Sequence, residues 1–354
     1  MPSAIRQRSA LKLSICITTF NRAAFIGATL ESILSQLTND CEVVVLDGAS
    51  TDETERVMSE YALRFDRLRY VRQDTNSGLD RDCDRVVELA DGEYCWLMAD
   101  DDLLKPGAVE AILKTLRRDV SLAIVNGEVR DLNMSKVLQR RWLDFESDRV
   151  YGPGDMDRLV LDVGHVLSYI GCIVIKREIW LAREKERYYG SLFIFLGVIF
   201  QECLPGETLV IAEPFISYRM GNTHTFSPKM FETLMVNFPS LVWSLTLSES
   251  AKGKICSAEP WRNFQELFLL RGRGYYSMTE YRRWIRPRLR SIHEKLTPAL
   301  VALLPGVLAN AVLVFYYSVT RRRYKGACLP QAMLELLRES RFHLRNWRVF
   351  KREA

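Results

Sequence analysis

Apolar and polar positions alternate over residues 11–18, with Leu11, Leu13, Ile15 and Ile17 on one side, which predicts a β-strand. The period then changes. Ile26, Leu30, Ile33, Leu34 and Leu37 fall on one face of a helix over residues 22–37. A second strand is predicted over 42–46, and Ser50 followed by Glu53 reads as a capping box that opens a helix running to Phe65. Residues 68–71 give a third strand, 80–90 a helix, 94–99 a fourth strand, 106–117 a helix and 122–126 a further strand. Strands alternating with helices predict an α/β fold, a mostly parallel sheet with helices on both faces. From Gly127 to Gly154 the pattern loosens. Residues 166–176 and 209–219 then read as strands with helices between them, and beyond Phe231 the chain reads as helical and increasingly basic.

The fourth strand carries the most informative chemistry. Its apolar run, Tyr94 to Ala99, ends in Asp100, Asp101 and Asp102. In open α/β sheets, ligands bind at the carboxyl ends of the strands. Clustered carboxylates repel one another unless a positive group sits among them, and a Mg²⁺ or Mn²⁺ carrying a phosphorylated ligand suits that place. The alternative is an acidic N-cap cluster before the helix that starts near Pro106. The first strand runs into Thr18-Thr-Phe-Asn-Arg22, whose hydroxyls and free N–H groups suit an anion or a base edge. The second ends in Asp47-Gly-Ala-Ser-Thr-Asp52. Asp47 is placed to accept a hydrogen bond from a nucleobase, while Ser50 and Asp52 suit turn and cap chemistry. After the third strand comes Asn76-Ser-Gly78-Leu-Asp80-Arg81, where Gly78 permits a positive φ and Arg81 either reaches a diphosphate or sits on the surface.

These strand ends and the aspartate cluster resemble the GT-A glycosyltransferases of family 2. The matching pieces are Ser14-Ile-Cys-Ile-Thr-Thr-Phe-Asn-Arg22, Val44-Val-Leu-Asp-Gly-Ala-Ser-Thr-Asp52, Asn76-Ser-Gly78 and Gly92-Glu-Tyr-Cys-Trp-Leu-Met-Ala-Asp-Asp-Asp-Leu-Leu-Lys-Pro106. The tryptophan-containing strand, with Ile211-Ala-Glu-Pro-Phe and Arg219-Met-Gly-Asn-Thr, is similar to a subgroup that includes abequosyltransferase-like enzymes of O-antigen assembly. The resemblance implies a nucleotide-diphospho-sugar donor. Thr18 and Asp47 would hold the nucleobase, with Phe20, Arg22, Gly78, Arg81, Asp100 and Arg219 as further donor contacts. Asp101, with Asp102, would ligate a divalent metal, Mn²⁺ or Mg²⁺, on the diphosphate and so serve catalysis, and His224 is a late metal or phosphate candidate. The usual Asp-x-Asp-Asp signature is broken, because Ala99 stands where its first aspartate belongs. The general base is the weakest assignment. The region expected to supply it, residues 188–200, contains no acid; Glu202, Glu184 and Glu186 are nearest, and Asp155 and Asp157 are further candidates.

Charge changes the picture of the C-terminal part. Residues 251–354 hold 21 Lys and Arg against 7 Asp and Glu, an excess of 14 in a chain whose net charge is +5, so residues 1–250 carry an excess of negative charge. Such asymmetry points to an anionic partner for the tail and argues against a nucleic-acid protein overall. Residues 299–319 are almost continuously apolar and are followed by Arg321-Arg322-Arg323; they either span a bilayer, lie on it, or form a core helix. The flanking segments, 282–290 and 338–351, mix Trp, Phe and Leu with arginines, the composition of helices on an anionic membrane surface. Eight cysteines without a CxxC pair read as reduced core thiols, which suits the cytosol, and the polar start of the chain lacks a secretory h-region.

The expectation is therefore a GT-A catalytic domain over 1–230 and a basic, membrane-associating helical region over 231–354. Together they would act at the cytoplasmic face of a membrane on a glycan or lipid-linked glycan acceptor, in O-antigen or other surface polysaccharide synthesis. Two rivals stand beside it: a sugar nucleotidyltransferase, against which the first strand end lacks a Gly-rich loop, and a non-catalytic GT-A-like membrane or complex component.

Overall fold

The computed structural model describes residues 11–221, 229–323 and 328–344. The first five strands are β1 (Leu13–Thr19), β2 (Cys41–Asp47), β3 (Leu68–Arg72), β4 (Tyr94–Met98) and β5 (Leu103–Leu104). The helices interleaved with them are α1 (Ile26–Leu34), α2 (Thr54–Arg64), α3 (Leu79–Leu89) and α4 (Ala108–Leu116). Next come β6 (Leu122–Arg130), β7 (Val137–Gln139), β8 (Arg149–Tyr151), α5 (Met156–Val163), β9 (Ile173–Lys176), α6 (Arg177–Ala182), α7 (Ile194–Phe200) and β10 (Thr208–Arg219).

The sheet runs β3-β2-β1-β4-β9-β6-β10-β5, with β8 beside β10. Its first four strands pair in parallel, as the βα alternation predicts. All seven residues of β2 are buried, so both of its faces are covered, which is why its middle, residues 43–46, reads as an unbroken apolar run. The sheet turns mixed where β9 joins, because β9 lies antiparallel to both β4 and β6. The chain goes outward from β1 to β3 and then returns to place β4 on the other side of β1, so the order reverses at β1. Such a reversal opens a crevice at the carboxyl ends of the strands.

Three local expectations fail for physical reasons. The capping box does not form, since α2 begins at Thr54 and its flanking Glu53 makes no side-chain cap bond. The Ser50 hydroxyl instead accepts the Asn21 N–H at 2.8 Å, tying the first strand end to the second. The strand predicted over 166–176 forms only at its end, as β9. Before it lie a turn and a 3₁₀ segment (Ile170–Cys172), in which the Trp96 indole donates to the Gly171 carbonyl. The helix predicted from Arg22 starts later, at Ile26, because Arg22 is drawn into the strand-end site.

The chain divides into two compact units that interleave in sequence. One comprises residues 1–128, 140–218 and 244–255, and the other 129–139, 219–243 and 256–354. The first holds the crevice just described. In the second, β7 pairs with the end of β6, and the rest is helical. Its helices are α8 (Met230–Glu232), which continues into α9 (Phe238–Ser244), then α11 (Phe264–Arg273), α12 (Met278–Glu280), α13 (Ile292–Leu303), α14 (Gly306–Arg323) and α15 (Cys328–Glu339); α10 (Glu249–Ile255) belongs to the first unit. Phe231, Trp261, Leu267, Leu270, Tyr276, Ile285 and Val301 form the second unit's apolar core. Asn310, a polar residue inside the 299–319 run, is buried and donates to the carbonyls of Gly272 and Leu337, which stitches α14 to α11 and α15. Among the described residues no single helix is long and apolar enough to cross a membrane, and the apolar run is broken between α13 and α14.

Candidate functional site

Register brings the predicted strand ends together. Thr19 pairs with Asp47 across β1 and β2, and Ile17 pairs with Met98 across β1 and β4, so the residues after each strand converge on one crevice. Asp47 is fully buried at the end of β2. One of its oxygens accepts the Ser50 N–H at 2.8 Å and the other accepts the Tyr70 hydroxyl at 2.7 Å. Asn21 stands at a positive φ of 55° and Ala49 at 65°, strained values for side-chain-bearing residues, and both flank this point. The Asn21 carboxamide oxygen holds the Thr51 N–H at 2.8 Å, so the first two strand ends form one cross-linked frame. Thr18 is half-buried, with its hydroxyl 3.9 Å from the Cys83 sulfur, while the Phe20 ring is 42% exposed at the rim.

Asp100 is buried and paired with Arg22, whose Nε lies 3.1 Å from its carboxylate. Burial and the neighbouring Asp101 push the Asp100 carboxyl up to about 7, against the lowering effect of Arg22. Asp102 is fully buried and accepts the Tyr169 hydroxyl at 2.6 Å. The Tyr169 ring packs against Trp142 and Tyr218, with centroids 5.0 and 5.2 Å away. Gly171 makes this possible, since a Cβ there would overlap the Tyr169 phenol. Burial, with Asp102 alongside, holds that phenol well above its ordinary titration range, so it stays a hydrogen-bond donor.

Asp101 is half-buried between these two anchored neighbours. Among the described residues no group of three His, Cys, Asp or Glu is set to hold a cation. A Mg²⁺ or Mn²⁺ that shares phosphate oxygens needs only one or two protein carboxylates, so consecutive, mutually repelling aspartates at a strand end suit it. The raised Asp100 also has a stability consequence. Between about pH 4 and pH 7 the folded chain keeps a proton that the unfolded chain has released, so this group's contribution falls as pH rises through that window. Asp100→Asn should flatten the decline of Tm between about pH 5 and pH 8 in metal-free buffer, measured by differential scanning calorimetry; an unaltered slope would assign that decline to other groups.

The remaining candidates fall into other settings. Gly78 has φ +89° and precedes α3, as its turn requires. Arg81 stacks on the Tyr189 ring at 4.4 Å. Arg219 is buried and donates to the Leu132 carbonyl at 2.6 Å within the second unit. Glu202 is an exposed partner of Arg183, at 3.4 Å, and Arg183 in turn binds the carbonyls at the carboxyl end of α7. His224 lies outside the described residues. Asp155 and Asp157 serve local structure, Asp155 accepting the Gly152 N–H and Asp157 the Ser248 N–H.

Three buried acids on α3 went unread at the sequence level. Asp80 accepts the N–H groups of Gly190, Leu192 and Ile194 at 2.8, 2.8 and 3.0 Å, fixing the loop that enters α7. Asp82 binds Gln73 and Ser77, and Asp84 takes the Trp180 indole at 2.9 Å and the Tyr189 hydroxyl at 2.7 Å. The visible signal was the alternation Asp80, Asp82, Asp84 in the first turns of a predicted helix. Tyr70 and Tyr169 carried no local signal.

Sheet order and strand-end site together define a GT-A glycosyltransferase fold. Residues 14–179 match Glycosyl transferase family 2. The chain is 30% identical over 234 residues to abequosyltransferase RfbV of Salmonella typhimurium, an alignment covering 61% of this chain and 69% of that protein. It thus belongs to the family 2 glycosyltransferases. It is also 27% identical over 139 residues to the GalNAc(5)-diNAcBac-PP-undecaprenol beta-1,3-glucosyltransferase of Campylobacter jejuni, covering 39% of this chain and 45% of that enzyme. Among solved structures, S. aureus TarS 1-349 in complex with UDP shares the fold with TM-score 0.56, at 17% identity over 92% of this chain and 90% of that one. The mannosyltransferase PcManGT of Pyrobaculum calidifontis, in complex with GDP-Man and Mn²⁺, gives TM-score 0.50 at 16% identity over 96% of this chain and 88% of that one.

Proposed function

We propose that this glycosyltransferase moves a hexose or deoxyhexose from a nucleotide-diphosphate donor to a lipid-linked glycan, in O-antigen or other surface polysaccharide assembly. The observation that carries the donor reading is the convergence of buried Asp47 and the crowded Asp100–Asp101–Asp102 run on one crevice at the strand-order reversal. Thr18 and Asp47 face the nucleobase, since a carboxylate already holding two donors keeps lone pairs for an imide or amine. Phe20 offers an exposed ring at the rim, and Arg22 supplies positive charge beside the diphosphate. Asp101, with Asp102 held rigid by Tyr169, is the ligand pair for a divalent metal. When bound, the metal supplies Lewis-acid neutralisation of the charge that develops on the departing diphosphate. The similarity to abequosyltransferase RfbV and to a Campylobacter jejuni enzyme named for a PP-undecaprenol substrate supports this acceptor class.

A thermal-shift panel of UDP, GDP, CDP and dTDP, each with and without Mn²⁺, tests the donor site. A ligand that binds only the folded state at about 100 times its Kd stabilises it by about 2.7 kcal/mol. One nucleotide should raise the Tm by several degrees with Mn²⁺ present, and Asp101→Ala should remove the metal-dependent part. Flat melting curves with all four nucleotides would refute the assignment of the crevice to a nucleotide donor.

A further inference from the structure

The exposed face of the α13–α14 corner is apolar in an ordered way. On α13, Ile292, Leu296, Leu300 and Leu303 recur at intervals of four, four and three, and all are exposed, Ile292 by 82%. On α14, Leu308, Val312, Phe315, Tyr316 and Val319 do the same, Phe315 by 71%. These are the spacings of a single helical face. The opposite faces are already used, since Val301 and Ala302 sit in the core while Ala309, Asn310 and Leu313 are buried. The outward stripes are therefore surplus to the fold. A contiguous exposed apolar surface of this kind marks an interaction site.

Geometry and charge select its occupant. The two helices meet at 89° across Leu304 and Pro305, and the Arg271 guanidinium pins the corner by donating to the Leu304 carbonyl at 2.6 Å. Helices of 12 and 18 residues measure about 18 and 27 Å, each short of the about 30 Å hydrocarbon core. Immediately before α13, Arg282, Arg283, Arg286, Arg288 and Arg290 follow one another within nine residues, with Arg283 and Arg288 flanking the Trp284 ring at 4.8 and 5.7 Å. Apolar stripes bordered by arginines match an anionic leaflet, in which hydrocarbon meets the stripes and headgroups meet the cations.

We propose that the α13–α14 corner is a monotopic membrane foot, lying in the plane of an anionic bilayer with its two stripes sunk to the acyl boundary. The donor-site reading plays no part in this inference. Co-sedimentation of the full chain with phosphatidylcholine vesicles, with and without about a third phosphatidylglycerol, tests it. Binding should be at least about tenfold tighter with phosphatidylglycerol and should weaken as salt rises. The double variant Leu300→Glu/Phe315→Glu alters only exposed side chains, so it should keep its Tm while its vesicle partitioning drops by about a hundredfold or more. Replacing Arg282, Arg286 and Arg290 by Ala should abolish the preference for phosphatidylglycerol and leave weak binding to both vesicle types. The proposal is overturned if the wild type stays in the supernatant with anionic vesicles, or if the double variant sediments as well as the wild type. It is equally overturned if sedimentation velocity shows a dimer that the double variant dissociates in the absence of vesicle binding, since the stripes would then cover a second copy.

Discussion

Asp101→Asn is expected to lower sugar transfer by about a thousandfold while leaving the fold intact. Sugar transfer builds negative charge on a leaving diphosphate, and groups preorganised to meet developing charge are worth about 10²–10³ in rate each. Asp101 is the half-buried member of a run in which Asp100 pairs with Arg22 and Asp102 accepts the Tyr169 hydroxyl. An amide of the same shape preserves packing and removes the charge on which cation affinity depends. A thousandfold loss corresponds to about 4 kcal/mol of transition-state stabilisation. Release of nucleoside diphosphate from the donor identified by the thermal-shift panel measures it. If the variant turned over within tenfold of the wild type, Asp101 would be no more than a loop residue.

The second large effect is structural. Asp80→Ala should destabilise the chain by at least about 3 kcal/mol, because three backbone N–H groups lose one shared acceptor and leaving a buried donor unpaired costs about 1–3 kcal/mol. At about 2–4 °C per kcal/mol for a domain of 150–250 residues, Tm should fall by roughly 10 °C. Asp80→Asn keeps one acceptor oxygen and should fall between the two. Burial pushes the Asp80 carboxyl up in spite of its three N–H partners, so desolvation opposes the charge that caps the loop. A calorimetric Tm within about 2 °C of wild type for Asp80→Ala would mean that water or a neighbouring group takes over the three donors.

The parallel half of the sheet was legible because β1 alternates apolar and polar residues while β2 and β4 centre on short apolar runs, and the polar residues that close these three strands are site candidates. What the sequence could not disclose were partners distant along the chain. Ser50 looked like a helix cap because Glu53 stands three residues on, yet its hydroxyl is taken by the Asn21 N–H from the first strand end. Residues 166–172 are apolar enough for a strand, but there the chain turns so that Tyr169 can pass over Gly171 to Asp102, a contact with no local periodicity. The acids of α3 have a regular spacing, and their meaning depends on Trp180, Tyr189 and the loop before α7. The exposed stripes from Leu300 onward were legible within the apolar segment 299–319, which the break at Leu304 and Pro305 divides between two directions, while Ile292 and Leu296 lie before it.

The position of β5 has a consequence for the order in which the molecule matures during synthesis. The strands of the parallel half are contiguous in the chain and can assemble as soon as Met98 has emerged. The acidic loop that follows has no such independence. It is closed by Leu103 and Leu104, whose partners on β10 are Ser217 and Ile216, and the Asp102 carboxylate waits for Tyr169. A nascent chain therefore acquires its strand-end crevice and the Arg22–Asp100 pair early, while the Asp102 carboxylate waits for Tyr169 and the closing of the loop waits for β10.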